Sequence, residues 1–191
     1  MKADTRKRIL DAAEKAFAAS GWRGGTTLEI ARMAGVNEVT LFRHFGSKEL
    51  LLTAVIARFQ EARLQVLDEA VTEYAPLEET LTRYAAAFRD SMKPAAGFLR
   101  TMMAECERHP QRLRETLYAT VKPTRDRLLA ILLEARRRGE IGAGIDCEVA
   151  LDLFSGMLFW ETIRPELIPL PYSSEAYLRE GVALFLRGVR P

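Results

Sequence analysis

Cysteine is scarce in this chain. Only two of the 191 residues are cysteines, Cys106 and Cys147. They stand far apart and form no CxxC pair, and two thiols alone cannot build a structural zinc site. Two reduced thiols in a cytosolic protein are the expectation. Long apolar runs are also missing. The richest stretch, residues 149–160, is interrupted by Asp152 and is too short to span a bilayer. No long apolar run follows the charged start Met1–Arg8, so no signal peptide is expected and the chain is expected in the cytoplasm. Extended β-branched alternation is absent, which argues against a sheet. Internal repeats and low-complexity segments are absent too. Charge of one sign is not in excess: 28 Lys+Arg against 26 Asp+Glu leave +2, too little to mark a nucleic-acid binder by itself.

What is present is a globular composition, with 48% hydrophobic and 28% charged residues. The small basic excess is unevenly placed. Residues 1–50 carry nine Lys/Arg and six Asp/Glu, and the remainder is slightly acidic. A phosphate-facing module would need its positive charge at one end in this way.

The chain reads as all-α, with about nine helices. The first is expected from Thr5 to Ser20, because Ile9, Ala13, Ala16 and Phe17 repeat on one helical face. Gly21 stops it, and Gly24 and Gly25 turn the chain. Thr26 and Glu29 have the spacing of a capping box at the start of a second helix, which ends at Gly35. Asn37 can cap a third helix, from Glu38 to about Phe45, and Ser47 a fourth, from Lys48 to about Glu73. Beyond Pro76, helices are expected at about 77–92, 95–108, 111–138, 147–168 and 174–188. Pro123 should kink the helix over 111–138, and Pro165–Pro171, with three prolines, should be a loop or bend.

A short helix, a glycine-containing turn and a second short helix form a helix-turn-helix over Thr26–Lys48. The second helix of such a motif enters the major groove, which is about 12 Å wide. Its buried side would come from Val36, Val39 or Thr40, Leu41 and Phe45. Its exposed side offers Asn37, Glu38, Thr40, Arg43 and His44.

The pieces IL-DAA--AF---G (Ile9–Gly21), T---IA--AGV (Thr27–Val36) and TLF-HF-SKE-L (Thr40–Leu51) closely resemble the N-terminal domain of the TetR family of bacterial repressors. The resemblance implies a helix-turn-helix DNA-binding domain at 1–50, and an effector-binding and dimerisation domain at 51–191. It implies a homodimer on a palindromic double-stranded operator, released by a small-molecule effector. An activator or ligand-independent regulator with the same fold is the alternative.

By resemblance, Thr26 and Thr27 correspond to phosphate contacts. Thr40, Phe42, His44 and Lys48 correspond to backbone or base contacts, and Asn37 and Glu38 to base readers. Arg43 and Arg23 are further phosphate candidates. Trp22 either packs on the first helix or touches the DNA backbone. Three positions depart from the family pattern. Phe42 stands where Tyr is common and has no hydroxyl for a phosphate. Glu38 is acidic, so it either accepts from a cytosine amino group or pairs with a nearby Arg. Leu28 replaces a basic residue of some members, leaving only a thymine methyl as its possible contact.

Two late helices carry broad apolar arcs, including Val149, Leu153, Phe154, Met157 and Trp160, then Tyr177, Val182, Leu184, Phe185 and Val189. The resemblance places them in a four-helix bundle between subunits. That would hold two recognition helices about 34–36 Å apart. Packing within one subunit is the competing explanation. The middle helices should enclose the effector. Phe88, Met92, Phe98, Met102, Met103, Leu117, Tyr118, Phe159 and Trp160 supply apolar surface, and Glu105, Cys106, Thr162 and Arg164 polar groups. An apolar or aromatic effector is expected, with a cationic one as an option. Arg136–Arg138 should stabilise a helix C-terminus. Glu105, Cys106 and His109 lack a further ligand nearby, so no metal or cofactor is expected. No nucleophile, base and orienting residue cluster locally, so the chain is not expected to be an enzyme.

Overall fold

The computed structural model describes residues 2–71, 75–97, 99 and 110–191. Among them are eight α-helices, one 3-10 turn and no strand. The ninth helix expected, over 95–108, lies mostly outside the described residues. The chain divides into two compact units, residues 1–60 with 94–120 and residues 61–93 with 121–191.

In the first unit, α1 (Lys2–Gly24), α2 (Thr27–Met33), α3 (Glu38–Phe45) and the start of α4 (Lys48–Ala70) share one core. The apolar stripe of α1 does what its periodicity requires: Ile9, Ala13, Ala16 and Phe17 are all buried, against Ile30, Leu41, Leu51 and Val55. A side chain of Phe17's size contributes roughly 1.5–3 kcal/mol when fully buried. α1 is longer than expected at both ends. Gly21 still interrupts it, with φ 69° and ψ −177°, but a further turn follows to Gly24.

Local chemistry sets the next boundaries. The Thr26 side chain accepts from the Glu29 N–H at 3.2 Å. The reciprocal half of the capping box does not form, because the Thr26 N–H donates to the Gly24 carbonyl at 2.8 Å. α2 closes in a Schellman arrangement, with Gly35 N–H on the Arg32 carbonyl and Val36 N–H on the Ala31 carbonyl. Gly35 has φ 66°, which a residue with a Cβ rarely adopts. Asn37 caps α3 through the Thr40 N–H at 2.8 Å, and Ser47 caps α4 through the Leu50 N–H at 3.2 Å.

The second unit holds residues 61–70 of α4, α5 (Leu77–Met92), residues 121–137 of α6 (Pro110–Arg137), α7 (Cys147–Leu167) and α8 (Ser174–Val189). α4 ends at Ala70, and Glu73, its expected end, lies outside the described residues. The core comprises Leu77, Leu81, Tyr84, Phe88, Leu132, Phe154, Leu158, Leu178, Val182 and Leu186. Asp146 and Ser173 cap α7 and α8. Arg138 bridges to Glu140 at 3.1 Å, and Glu140 accepts from the Leu77 N–H at 2.6 Å, tying the end of α6 to the start of α5. Of the basic trio expected at a helix end, Arg137 instead pairs with Glu134 at 2.6 Å.

Prolines interrupt less than their sequence positions suggest. α6 runs on as helix through Pro123. Pro165 does not open a loop, as expected for 165–171, but sits in the last turn of α7, which continues to Leu167. The missing N–H removes one bond to the preceding turn, and beyond it the Ile168 N–H still reaches the Arg164 carbonyl at 3.0 Å.

Candidate nucleic-acid interface

The recognition element is anchored from beneath. Leu41 and Phe45 of α3 are buried, while Val36 and Thr40 are half-buried. Val39 does not join the buried side: it is 76% exposed. The resulting outer surface carries Asn37, Phe42 and Arg43 exposed, with Glu38, Thr40 and His44 half-exposed. Phe42 and Val39 give this polar surface two apolar points suited to thymine methyls.

Several expected contact residues already have partners within the unit. The Thr27 hydroxyl donates to the Glu38 carboxylate, linking the first turns of α2 and α3. This is a different partner from the arginine considered for Glu38. Asn37 has its side-chain oxygen committed to the cap, so only its amide N–H groups remain to donate outward. The Thr26 oxygen accepts from Glu29, leaving its O–H able to donate.

Lys48 is held in an aromatic and carbonyl cradle. Its ammonium donates to the Trp22 carbonyl and lies 4.5 Å from the Trp22 ring and 5.9 Å from the Phe17 ring. Trp22 in turn packs on Phe17 at 5.6 Å between ring centroids. The indole thus positions a cation next to the start of α4. Arg6 is not marked by any sequence motif, yet its guanidinium lies 5.1 Å from the Phe45 ring centre. Its helical position on α1, off the buried stripe, is the only signal in the sequence. Arg23 and Leu28 are exposed.

The expected effector residues are placed in several surroundings. Phe88 and Met92 lie in the core of the second unit. Phe159 and Trp160 on α7 are 38% and 40% exposed. Tyr118, on the part of α6 belonging to the first unit, is 64% exposed. Phe98, Met102, Met103, Glu105, Cys106 and His109 lie outside the described residues. The Thr162 hydroxyl donates to the Leu158 carbonyl at 3.1 Å. Arg164 is buried and pairs with buried Glu161 at 2.7 Å, with its guanidinium about 5 Å from the rings of Tyr172 and Tyr177. Two residues of this unit are not evident from the sequence: Arg63 on α4 and Tyr84 on α5. Only the i, i+4 spacing of Tyr84 and Phe88 hints at their association.

An outward apolar face completes the second unit. Val149, Leu153 and Trp160 follow one another along α7, at 56%, 68% and 40% exposure, and Leu184 of α8 is 64% exposed. A hollow of about 430 Å³ nearby is lined by Met157, Tyr172, Tyr177, Gly181 and Leu184. Among the described residues, no acidic, His or Cys cluster could hold a metal ion. No described helix is long and apolar enough to cross a membrane.

The chain matches the family described as bacterial regulatory proteins, tetR family, over residues 9–55. It also matches the tetracyclin repressor-like C-terminal domain over residues 71–180. It is 27% identical over 198 residues to the HTH-type transcriptional regulator YvkB of Bacillus subtilis, covering 97% of each chain. The fold is similar to that of the fatty acid degradation regulator FadR from Bacillus halodurans, with a TM-score of 0.83 and 20% identity over 95% of this chain and 94% of that one. FadR from Bacillus subtilis, solved in complex with stearoyl-CoA, gives a TM-score of 0.78 and 23% identity, over 96% of this chain and 99% of that one. An all-helical chain whose capped α2–turn–α3 motif and helical C-terminal region both match in order therefore belongs to the TetR family of transcriptional regulators.

Proposed function

We propose that this chain is a ligand-responsive repressor that binds a palindromic operator as a homodimer and leaves it when a small molecule binds. The observation that carries the reading is the presentation of α3: Leu41 and Phe45 are anchored in the core, while Asn37, Phe42 and Arg43 face outward. In this reading residues 1–50 bind DNA and residues 51–191 sense the effector and dimerise. Thr26, Thr27, Lys48 and His44 contact the backbone, and Thr40, Phe42 and Asn37 face base edges. Arg43 adds a phosphate contact. Glu38 serves chiefly through Thr27, since a carboxylate so engaged has less to offer a base.

Dimerisation through α7 and α8 would cover Val149, Leu153, Trp160 and Leu184, which otherwise leave large apolar side chains in water. The effector is apolar or aromatic in its main body and enters the second unit near Phe88 and Met92. The solved relative that holds stearoyl-CoA supports a fold able to take such a ligand. α4 contributes residues to both units, so a ligand that shifts it alters the placement of α3. The effector acts only through its preference for the spacing that binds DNA weakly.

Selection of bound DNA from a random pool tests the reading. A palindromic winner with steep salt dependence is expected. A protein indifferent to duplexes at low ionic strength would overturn it.

A further inference from the structure

Arginine inside a protein normally meets a carboxylate, because an unpaired cation is costly to desolvate. Arg63 meets none among the described residues. Its Nε is buried without a hydrogen-bond partner. Its guanidinium instead lies 5.3 Å from the ring centre of Phe88. Tyr84, one turn before Phe88 on α5, is only 1% exposed, and its hydroxyl is also buried without a partner. Burial raises the pKa of that hydroxyl, and the neighbouring Arg63, through its charge and within hydrogen-bonding reach, partly opposes the rise. Apolar side chains lie beside these two polar groups. The Tyr84 ring packs on Phe88 at 5.8 Å and Phe154 at 6.5 Å, and Met92 is buried one turn further along α5.

The Arg63 Nε–H and the Tyr84 O–H have no acceptor among the described residues, so two neighbouring donors are available to one oxyanion. The cation stacked on Phe88 is pre-oriented, and the aromatic surface beside it suits a hydrocarbon. We infer that Arg63 and Tyr84 bind the anionic head of an amphipathic organic ligand, whose apolar body lies along Phe88 and Met92. This deepens the effector reading above and rests on it for its regulatory meaning. A carboxylate and a phosphate ester share the required chemistry.

The test uses the full chain with three ligands of equal tail length: decanoate, decyl phosphate and decanol. Calorimetry should give at least one anion an affinity about tenfold above decanol. The arm that wins identifies the head group. Arg63→Met should erase the preference while leaving decanol binding and helical circular dichroism unchanged. Tyr84→Phe, which removes a single oxygen, should weaken the anion several-fold and decides the matter if Arg63→Met fails to fold. Equal binding of anion and alcohol, absence of binding by both anions, or unchanged anion affinity in Tyr84→Phe would overturn the inference. An anion that binds as expected but leaves the affinity for selected DNA unchanged would instead overturn the effector reading and leave the anion site standing.

Discussion

The hydroxyl of Thr27 donates to the carboxylate of Glu38, so the opening turns of α2 and α3 are joined by side chains as well as by the glycine turn. On a helix proposed to face DNA, an acidic residue is unfavourable for phosphate. Here it is retained at a place where it fixes the angle between the two helices of the motif. Replacing Glu38 by Ala leaves the Thr27 hydroxyl without its acceptor. Thermal unfolding should show a loss of about 0.5–1.5 kcal/mol. Glu38→Gln keeps an acceptor and removes the charge, so it should retain stability and bind duplex DNA more tightly at low salt. A weaker complex for Glu38→Gln would return Glu38 to a base-reading role.

Lys48 offers a cation already positioned by Trp22. If it faces a phosphate in the complex, Lys48→Ala should weaken binding uniformly across operator sequences. The slope of log affinity against log salt should fall by about 1 per contact removed. Trp22→Leu should produce part of the same loss through misplacement of the ammonium. Unchanged salt dependence in Lys48→Ala would count against the contact.

Gly25 is confined by its neighbours. A Cβ there would lie 2.8 Å from Phe17 Cδ1 and 3.1 Å from the Gly21 carbonyl. Gly25→Ala should therefore displace Phe17 and cost roughly 1–3 kcal/mol in chemical denaturation. Gly144 meets nothing within 4 Å, so Gly144→Ala serves as the tolerated control.

The outer face of α7 gives a direct test of assembly. Leu153 is 68% exposed, and Leu153→Glu should barely disturb the isolated subunit. If α7 and α8 form the dimer, sedimentation should show monomers for this variant and dimers for the parent. A variant that remains dimeric would place the interface elsewhere.

Burial raises the pKa of the Tyr84 hydroxyl, and Arg63 only partly opposes it. The neutral phenol is therefore favoured in the folded state. The associated stability is complete below the unfolded value of about 10 and declines as pH rises through and above it. Alkaline titration of thermal stability should show this decline, and Tyr84→Phe should reduce its slope. Tyr177, also raised by burial, should supply part of the remaining slope.

Local signals made the helix-turn-helix region legible. Gly21, Thr26, Gly35, Asn37 and Ser47 act within a few residues of themselves through caps and turns, so their spacing is enough to locate α2, α3 and the start of α4. The helical stripe Ile9–Phe17 likewise announces its burial. Val39 was ambiguous because α3 spans only about two turns, and two adjacent positions compete for the edge of so short a face. Pro165 misled because a proline removes one backbone bond to the preceding turn, and the packed helix can continue past that loss, as it does at Pro123 too. The expected effector residues were least legible, since they lie on helices distant in sequence and their residue types also serve any apolar core.

By itself the sequence determined the helices, the glycine turn between α2 and α3, and the family that this order identifies, because capping and periodicity are short-range. Only the tertiary structure decided that Glu38 would serve Thr27, that Lys48 would rest on Trp22, and that Arg63 would meet Tyr84 and Phe88 with no carboxylate among the described residues to balance it. Those pairings join residues on different helices, and packing determines which side chains can reach one another.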